Sequence, residues 1–256
     1  MESKLTEQGF AASSGDYVSK FMCSLRWNCG RCLGKKPHVI DVLDSDERSE
    51  SFLQQFSYAE LYQATYHFDS SNVTGHGATG PVFKATLADG RVAAIKVFAN
   101  TNRDLLGDQV ITIEIKVLGR LRHRNLVPLL GFCCEKNHRM LVYKFMPGGD
   151  LWSFRQQGNA LTWAQKYNIV CGVASGLDFL HKEGVLHRDV KPNNILLDAN
   201  QEACLAGFGI SRFLSTKETH VTTSVKGTLG YLAPEYVSTL RLGSEADVYS
   251  FGMVVL

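Results

Sequence analysis

Two short stretches carry residue types that could handle a polyphosphate. The run Gly75-His76-Gly77-Ala78-Thr79-Gly80 places Gly75, Gly77 and Gly80 at the spacing G-x-G-x-x-G. Glycines so spaced let backbone N–H groups approach phosphate oxygens with no side chain in the way. Lys96, at the end of Ala93-Ala94-Ile95-Lys96, sets an ammonium countercharge one strand later. A dinucleotide-binding turn has the same spacing, but there the glycines open a helix and an acidic residue follows. Here they lead into strand-like sequence and a hairpin, and the dinucleotide reading falls away. Lys96 also needs an anion to hold its flexible stem. Glu114 is the candidate, with Leu118 one turn further along the same helix face. Taken singly, a solvated surface glutamate is the better reading of Glu114.

The elements that must position these groups follow from hydrophobic period. A short helix is predicted over Tyr58–Tyr66, with Ser57 as N-cap and Glu60 three residues on. Two strands, Pro81–Leu87 and Arg91–Phe98, flank Ala88-Asp89-Gly90, whose Asp-Gly pair signals a hairpin turn. Between Asp104 and Arg122 the residues Val110, Ile113, Val117 and Leu121 recur as one face of a helix. Leu129–Cys133 and Arg139–Phe145 read as two further strands. The stripe Val170, Val173, Ala174, Leu177, Leu180 marks a long helix over Thr162–Lys182, and a last apolar helix opens around Ala246. A strand-rich half followed by a helix-rich half predicts an α+β protein of two lobes.

The 256 residues hold one medium domain with an appended segment. Lys+Arg 27 against Asp+Glu 25 gives a net charge of +2, too balanced to suggest a nucleic-acid-binding surface, and no nucleic-acid partner is expected. The odd set of cysteines, Cys23, Cys29, Cys32, Cys133, Cys134, Cys171 and Cys204, fits free thiols in a reducing, cytoplasmic compartment. No signal peptide is evident, and no apolar run approaches the length of a membrane span. Residues 1–55 read as a flexible leader. From Tyr17 to Ile40 it carries Lys20, Arg26, Arg31, Lys35 and Lys36 and no acidic residue; from Asp41 to Glu50 the balance inverts. Its Cys23, Cys29 and Cys32 leave three readings open. They could be acylated, bringing the chain to the cytoplasmic face of the plasma membrane; they could hold zinc with His38; or they could belong to an unmodified tail.

The run His187-Arg188-Asp189-Val190-Lys191-Pro192-Asn193-Asn194-Ile195-Leu196-Leu197-Asp198, placed after a glycine loop and a lysine strand, resembles the protein-kinase family. The resemblance covers about Phe56 to Leu256, with a strand-rich lobe at 56–147 and part of a helical lobe at 148–256. It is closest to plant receptor-like and receptor-like cytoplasmic kinases. The phrases that carry it are Phe56-Ser57-Tyr58-Ala59-Glu60-Leu61, Leu121-Arg122-His123-Arg124-Asn125-Leu126-Val127 and Gly227-Thr228-Leu229-Gly230-Tyr231-Leu232-Ala233-Pro234-Glu235. The resemblance implies a bilobal kinase fold that uses ATP and Mg²⁺, with protein partners or substrates in receptor signalling. It implies that Lys96 binds the α/β-phosphates and pairs with Glu114. Asp189 would orient the substrate hydroxyl and accept its proton, Lys191 would steady the γ-phosphate, and Asn194 would hold a metal. Val82, Ala94 and Leu196 would sandwich the adenine. Tyr143 would be the gatekeeper, with backbone groups of Lys144 and Met146 on the adenine edge. Asp247 would anchor the catalytic loop. Lys191 with Thr228 resembles the Ser/Thr branch, and Arg188 implies control by a phosphate on Thr222 or Thr223.

Two departures bear on function. Ala206-Gly207-Phe208-Gly209 stands where the family has Asp-Phe-Gly, so the metal-holding carboxylate is missing and Mg²⁺ binding is expected to be weak or absent. A single-base allele difference would give the same change. The family's lower lobe also continues for several helices past Asp247-Val248-Tyr249-Ser250-Phe251-Gly252, one of which supplies an Arg to Glu235. The chain therefore reads as a gene fragment or truncated product. Three functions stand side by side: a nucleotide-binding pseudokinase acting by contacts, a Ser/Thr kinase active in a full-length form, and a non-functional fragment.

Overall fold

A computed structural model describes residues 53–77, 79–98, 105–135, 138–158, 160–214 and 219–256, without the side chains of 105–107. The leader, with Cys23, Cys29, Cys32, His38, Lys35 and Lys36, lies outside the described residues. Strands β1 (Gln54–Gln55), β2 (Val73–Gly77), β3 (Gly80–Thr86), β4 (Val92–Val97), β5 (Leu129–Glu135) and β6 (His138–Lys144) form one sheet in the order β1-β5-β6-β4-β3-β2. All its pairs are antiparallel except β1 with β5. The β3–β4 hairpin turns where Asp89-Gly90 predicts it: Gly90 takes φ 83° and its N–H bonds to the Leu87 carbonyl at 2.9 Å.

Helix α1 (Tyr58–Ala64) starts as the sequence predicts. The Ser57 side chain accepts from the Glu60 N–H, and the Glu60 carboxylate accepts from the Ser57 N–H at 2.7 Å. Leu61 on its inner face joins Phe56, Ala85, Ile95, Cys133 and Val142 in a core on one side of the sheet. β1, upstream of Phe56, has no signal in a two-residue polar sequence. It fits against β5 because Gly131 has no side chain: a Cβ there would collide with the Gln54 carbonyl and the Phe56 ring.

Helix α2 (Leu105–Leu118) buries Ile111, Glu114, Ile115, Val117 and Leu118. Of the predicted apolar stripe Val117 is fully buried, whereas Val110, Ile113 and Leu121 are half-buried. Glu114 and Leu118 both turn inward one turn apart, and the carboxylate widens the buried face beyond what apolar residues alone mark.

The second half is helical with short ladders. β7 (Gly149–Asp150) leads into α3 (Leu151–Gln156), whose first turn is capped by Asp150 accepting from the Ser153 N–H at 2.9 Å. Helix α4 (Trp163–Lys182) begins on a Thr162/Gln165 capping box and buries Ile169, Val173, Gly176, Leu177 and Leu180. β8 (Val185–Leu186) opens the loop 187–194. β9 (Ile195–Leu197) pairs with β7 and with β10 (Ala203–Leu205), and β11 (Arg212–Phe213) pairs with β8. The last elements are β12 (His220–Thr222), α5 (Pro234–Thr239), β13 (Arg241–Gly243) and α6 (Ser244–Val255). Leu186, Val221, Ala233, Tyr236, Leu242 and Ala246 form their common core. No described helix is long and apolar enough to cross a membrane.

Candidate active site

The glycines stand on the β2–β3 hairpin, where Gly77 lies opposite Gly80. The ladder then carries the site across the sheet: Val82 on β3 pairs with Lys96 on β4, and Ala94 on β4 pairs with Tyr143 on β6. Met146 follows β6 and is buried, while Leu196 is half-buried on β9 between Asp150 and Cys204.

Lys96 Nζ lies 3.0 Å from Glu114 Oε1, and the Glu114 side chain is 1% exposed. The second carboxylate oxygen accepts from the Tyr143 hydroxyl. Burial, followed by the neighbouring Glu114 charge and this hydrogen bond, holds the Tyr143 phenol well above its ordinary pKa, so it stays a proton donor. Glu114 thus sits between two donors on two neighbouring strands. The resemblance implies a gatekeeper role for Tyr143 but gives no sign of its bond to Glu114. Their strand and helix are brought together only by the tertiary fold.

Below the sheet, Asp189 has partners on both carboxylate oxygens. Oδ1 accepts from Thr228 Oγ1 at 2.6 Å, and Oδ2 accepts from Asn194 Nδ2 at 2.8 Å and meets Lys191 Nζ at 3.0 Å. Lys191 Nζ also donates to Thr228 Oγ1 at 2.7 Å. The loop is fixed from beneath by Asp247, 1% exposed, which accepts from the N–H groups of His187 at 2.8 Å and Arg188 at 2.7 Å. His181 Nε2 sits 2.9 Å from the same carboxylate. The His187 ring spans Asp189 N–H at 3.2 Å and the Ala206 carbonyl at 3.0 Å. That pattern requires Nδ1 to accept and Nε2–H to donate. Burial pushes the His187 pKa down, against the pull of Asp247 and Asp189, and favours this neutral form.

Gly207 lies at the entry to a turn over Phe208–Ile210 with φ 80° and ψ 46°, in the left-handed region. A Cβ on it would stand 2.7 Å from Asn194 Cγ and Oδ1. Phe208 is fully buried, its ring 4.8 Å from that of His187, and Gly209 leaves room for Val110 of α2. The oxygen donor beside the turn is the neutral Asn194 carboxamide. Among the described residues, no group of three or more His, Cys, Asp or Glu side chains is placed to hold a metal ion.

The residues named for regulation divide. Arg188 is 7% exposed and its guanidinium is engaged: it donates to the Ile210 and Ser224 carbonyls, each at 3.2 Å, and to the Tyr236 hydroxyl at 3.0 Å. Its Nε is buried without a partner. Tyr236, which sequence reasoning did not single out, donates in turn to the Ser224 carbonyl at 2.8 Å and accepts from the Lys226 N–H at 3.2 Å. Thr222 is exposed at the end of β12, opposite Arg241 of β13, and Thr223 is half-buried just beyond.

The family model described as "Protein kinase domain" matches residues 68–256. A probable LRR receptor-like serine/threonine-protein kinase of Arabidopsis thaliana is 45% identical over 206 residues, covering 78% of this chain and 20% of that protein. Cold-responsive protein kinase 1 of the same plant is 41% identical over 210 residues, covering 78% of this chain and 53% of its own length. A brassinosteroid LRR receptor kinase of Solanum lycopersicum is 40% identical over 215 residues, covering 81% of this chain and 18% of the receptor. The chain therefore spans only a part of each relative it matches.

Proposed function

The chain belongs to the protein kinase family, and from that premise we propose that it is an ATP-binding kinase module of receptor-type signalling with weakened phosphoryl transfer. The observation that carries this reading is the contrast around Asn194: Asp189 beside it is fully coordinated by polar groups, and Gly207 beside it has no side chain. The glycine hairpin and Lys96, steadied by Glu114, would bind the phosphates. Val82, Ala94 and Leu196 would enclose the adenine, with Tyr143 behind it and backbone groups at Lys144 and Met146 along its edge. Asp189 would orient the incoming hydroxyl and accept its proton, with Lys191 beside the γ-phosphate.

Magnesium, when bound with a nucleotide, neutralises charge on the phosphoryl oxygens. The residues present do not fit that ion well: Asn194 offers one neutral oxygen and Gly207 none, whereas Mg²⁺ is usually held through one or two carboxylates. Losing metal stabilisation of several kcal/mol, at about 1.4 kcal/mol per tenfold, lowers the rate on the order of a thousandfold or more. Thermal-shift titrations with ATP test this directly. A small stabilisation that ignores Mg²⁺ is expected, and it should become magnesium-dependent in Gly207→Asp; a large magnesium-dependent shift in the unaltered chain would refute the reading.

A second reading, an active Ser/Thr kinase in the full-length protein, is favoured by the Asp189–Lys191–Thr228 triangle. Radiolabelled transfer by the full-length protein that keeps Gly207, abolished by Asp189→Asn, would establish it. Protein partners or substrates in receptor signalling follow from the kinds of relative the chain matches. Attachment to the cytoplasmic face of the plasma membrane rests on the leader alone. It would need two signals, acylated Cys23, Cys29 or Cys32 together with Lys35 and Lys36. A fluorescent fusion with the three cysteines changed to Ser should lose membrane attachment.

A further inference from the structure

From the packing around the start of β1, we infer that Leu53 is a positioning residue. With Gln54–Gln55 it forms a strap that holds Glu114 against Lys96 and Tyr143, and so tunes the site toward ligands that carry phosphates. The strap is short, and it touches two elements at once. Leu53 is buried, and its Cδ1 lies 3.1 Å from where a Cβ on Gly119 would stand. Gly119 follows directly on α2, and its N–H continues the helix with a 2.8 Å bond to the Ile115 carbonyl. Leu53 therefore packs against the C-terminal end of the helix that carries Glu114. On the other side, Gln54 pairs with Gly131 of β5 and Gln55 with Phe132. Gly131 also pairs with Val142 of β6, where the β5–β6 register shifts between Leu129 and Gly131. Leu129, at the other end of that shift, lies opposite Tyr143. Three consecutive residues thus join the helix of Glu114 to the rung beside Tyr143, and those two side chains share a hydrogen bond in the site.

Helix α2 has other holds, but they lie in its first half. Asp108 meets Arg139 of β6 at 3.1 Å. Val110 lies over Gly209, so close that a Cβ there would stand 2.5 Å from Val110 Cγ1 and 3.3 Å from Glu114 Oε1. Glu114 sits between this seat and the one at Gly119, and both are close approaches that a bare glycine permits. The carboxylate depends on its helix for aim. A shift of α2 by about one ångström would take the 3.0 Å contact with Lys96 out of hydrogen-bond range. Lys96 would keep its charge and lose its direction, and only a ligand that reaches it with phosphate oxygens would register the change.

The test uses the 256-residue chain with Leu53→Ala, and with Leu53→Met to restore the contact. Leu53→Val is the milder cut should Leu53→Ala fail to fold, and circular dichroism decides which is used. Hydrogen exchange read by mass spectrometry compares amides 111–118 of α2 with those of α4. The α2 amides should exchange about tenfold faster in Leu53→Ala, with α4 unchanged and Leu53→Met close to the unaltered chain. Affinities for ATP and for adenosine, both without metal, are then measured. ATP should bind about five- to tenfold more weakly in Leu53→Ala, at the low end of coupling between separate sites. Adenosine, which has no phosphate to offer Lys96, should bind as before. In a Glu114→Gln background the Leu53 substitution should add nothing further. Unchanged α2 exchange in the folded variant, or equal losses for ATP and adenosine, overturns the inference. The affinity measurement rests on the nucleotide-binding reading above, and the two failures separate. An unaltered chain that binds neither ATP nor adenosine refutes that reading, while the exchange measurement still decides the role of Leu53.

Discussion

Asp189 and Gly207 flank the same carboxamide, that of Asn194, and could hardly differ more. Around Asp189 every oxygen has a donor, and the loop that carries it is tied from beneath by Asp247 through two backbone N–H groups. Around Gly207 there is backbone in a left-handed conformation and the face of the Asn194 side chain. The neighbours of Gly207 nonetheless keep their places, with Phe208 buried against His187 and Val110 packed over Gly209. The difference separates two kinds of site residue. Asp189 and Asp247 hold the loop together through several donors at once. Gly207 contributes backbone alone, and the turn around it packs without a side chain there.

The strongest test of that contrast is Asp247→Ala. It strands the His187 and Arg188 N–H groups in the interior and should cost about 3–5 kcal/mol in urea unfolding. Asp247→Asn, which keeps an acceptor but turns an N–H toward donors, should lie between. A negligible loss would mean that the loop is held some other way. Next comes Tyr143→Phe, which removes one of the two donors on Glu114. A hydrogen bond to a charged group is worth about 1.5–3 kcal/mol, and the loss should appear as a lower urea midpoint with an unchanged slope.

Gly207→Ala probes the bare corner. It should cost about 1–2 kcal/mol for the left-handed backbone, plus a collision with Asn194. In an Asn194→Ala background the collision part should disappear, and a double-mutant cycle measures it. The smallest effect concerns His187. Its folded pKa lies below the ordinary 6.5 because of burial. As pH falls through that value the unfolded chain takes up a proton that the folded chain refuses, so stability drops, by at most about 1.4 kcal/mol per pH unit. Above it the term vanishes. Urea midpoints at about pH 7.5 and about pH 5.5 should differ less in His187→Gln than in the unaltered chain.

What the sequence discloses depends on how local its cause is. The capping box at Ser57/Glu60 and the Asp89-Gly90 turn are set by residues within four positions, and the structure has both. On α2 the apolar period marks the buried Val117 but not the buried Glu114, and the reason a carboxylate is tolerated there is a pair of donors far away in the chain. Arg188 illustrates the same limit. Its type and place nominate a phosphate reader, but the partners that occupy it, Ile210, Ser224 and Tyr236, lie 22, 36 and 48 residues on. β1 had no local signal at all, since what admits it is an absent side chain at Gly131.

That absence also makes the β5 edge a socket. Gly131 leaves a slot that the chain fills with its own Gln54–Gln55, in parallel, sealed by Leu53 and Phe56 at either end. Two ladder rungs hold the insert, with the Phe56 N–H on the Phe132 carbonyl at 2.9 Å and Arg91 on the Gln54 side chain, so tension on the chain upstream of Leu53 would unzip it stepwise and not shear the whole sheet. Once vacated, the slot is an open strand edge shaped for a short extended peptide with an apolar residue at each end. A side chain at 131 would close the slot to both the native strand and any competitor, without touching the residues around Asp189.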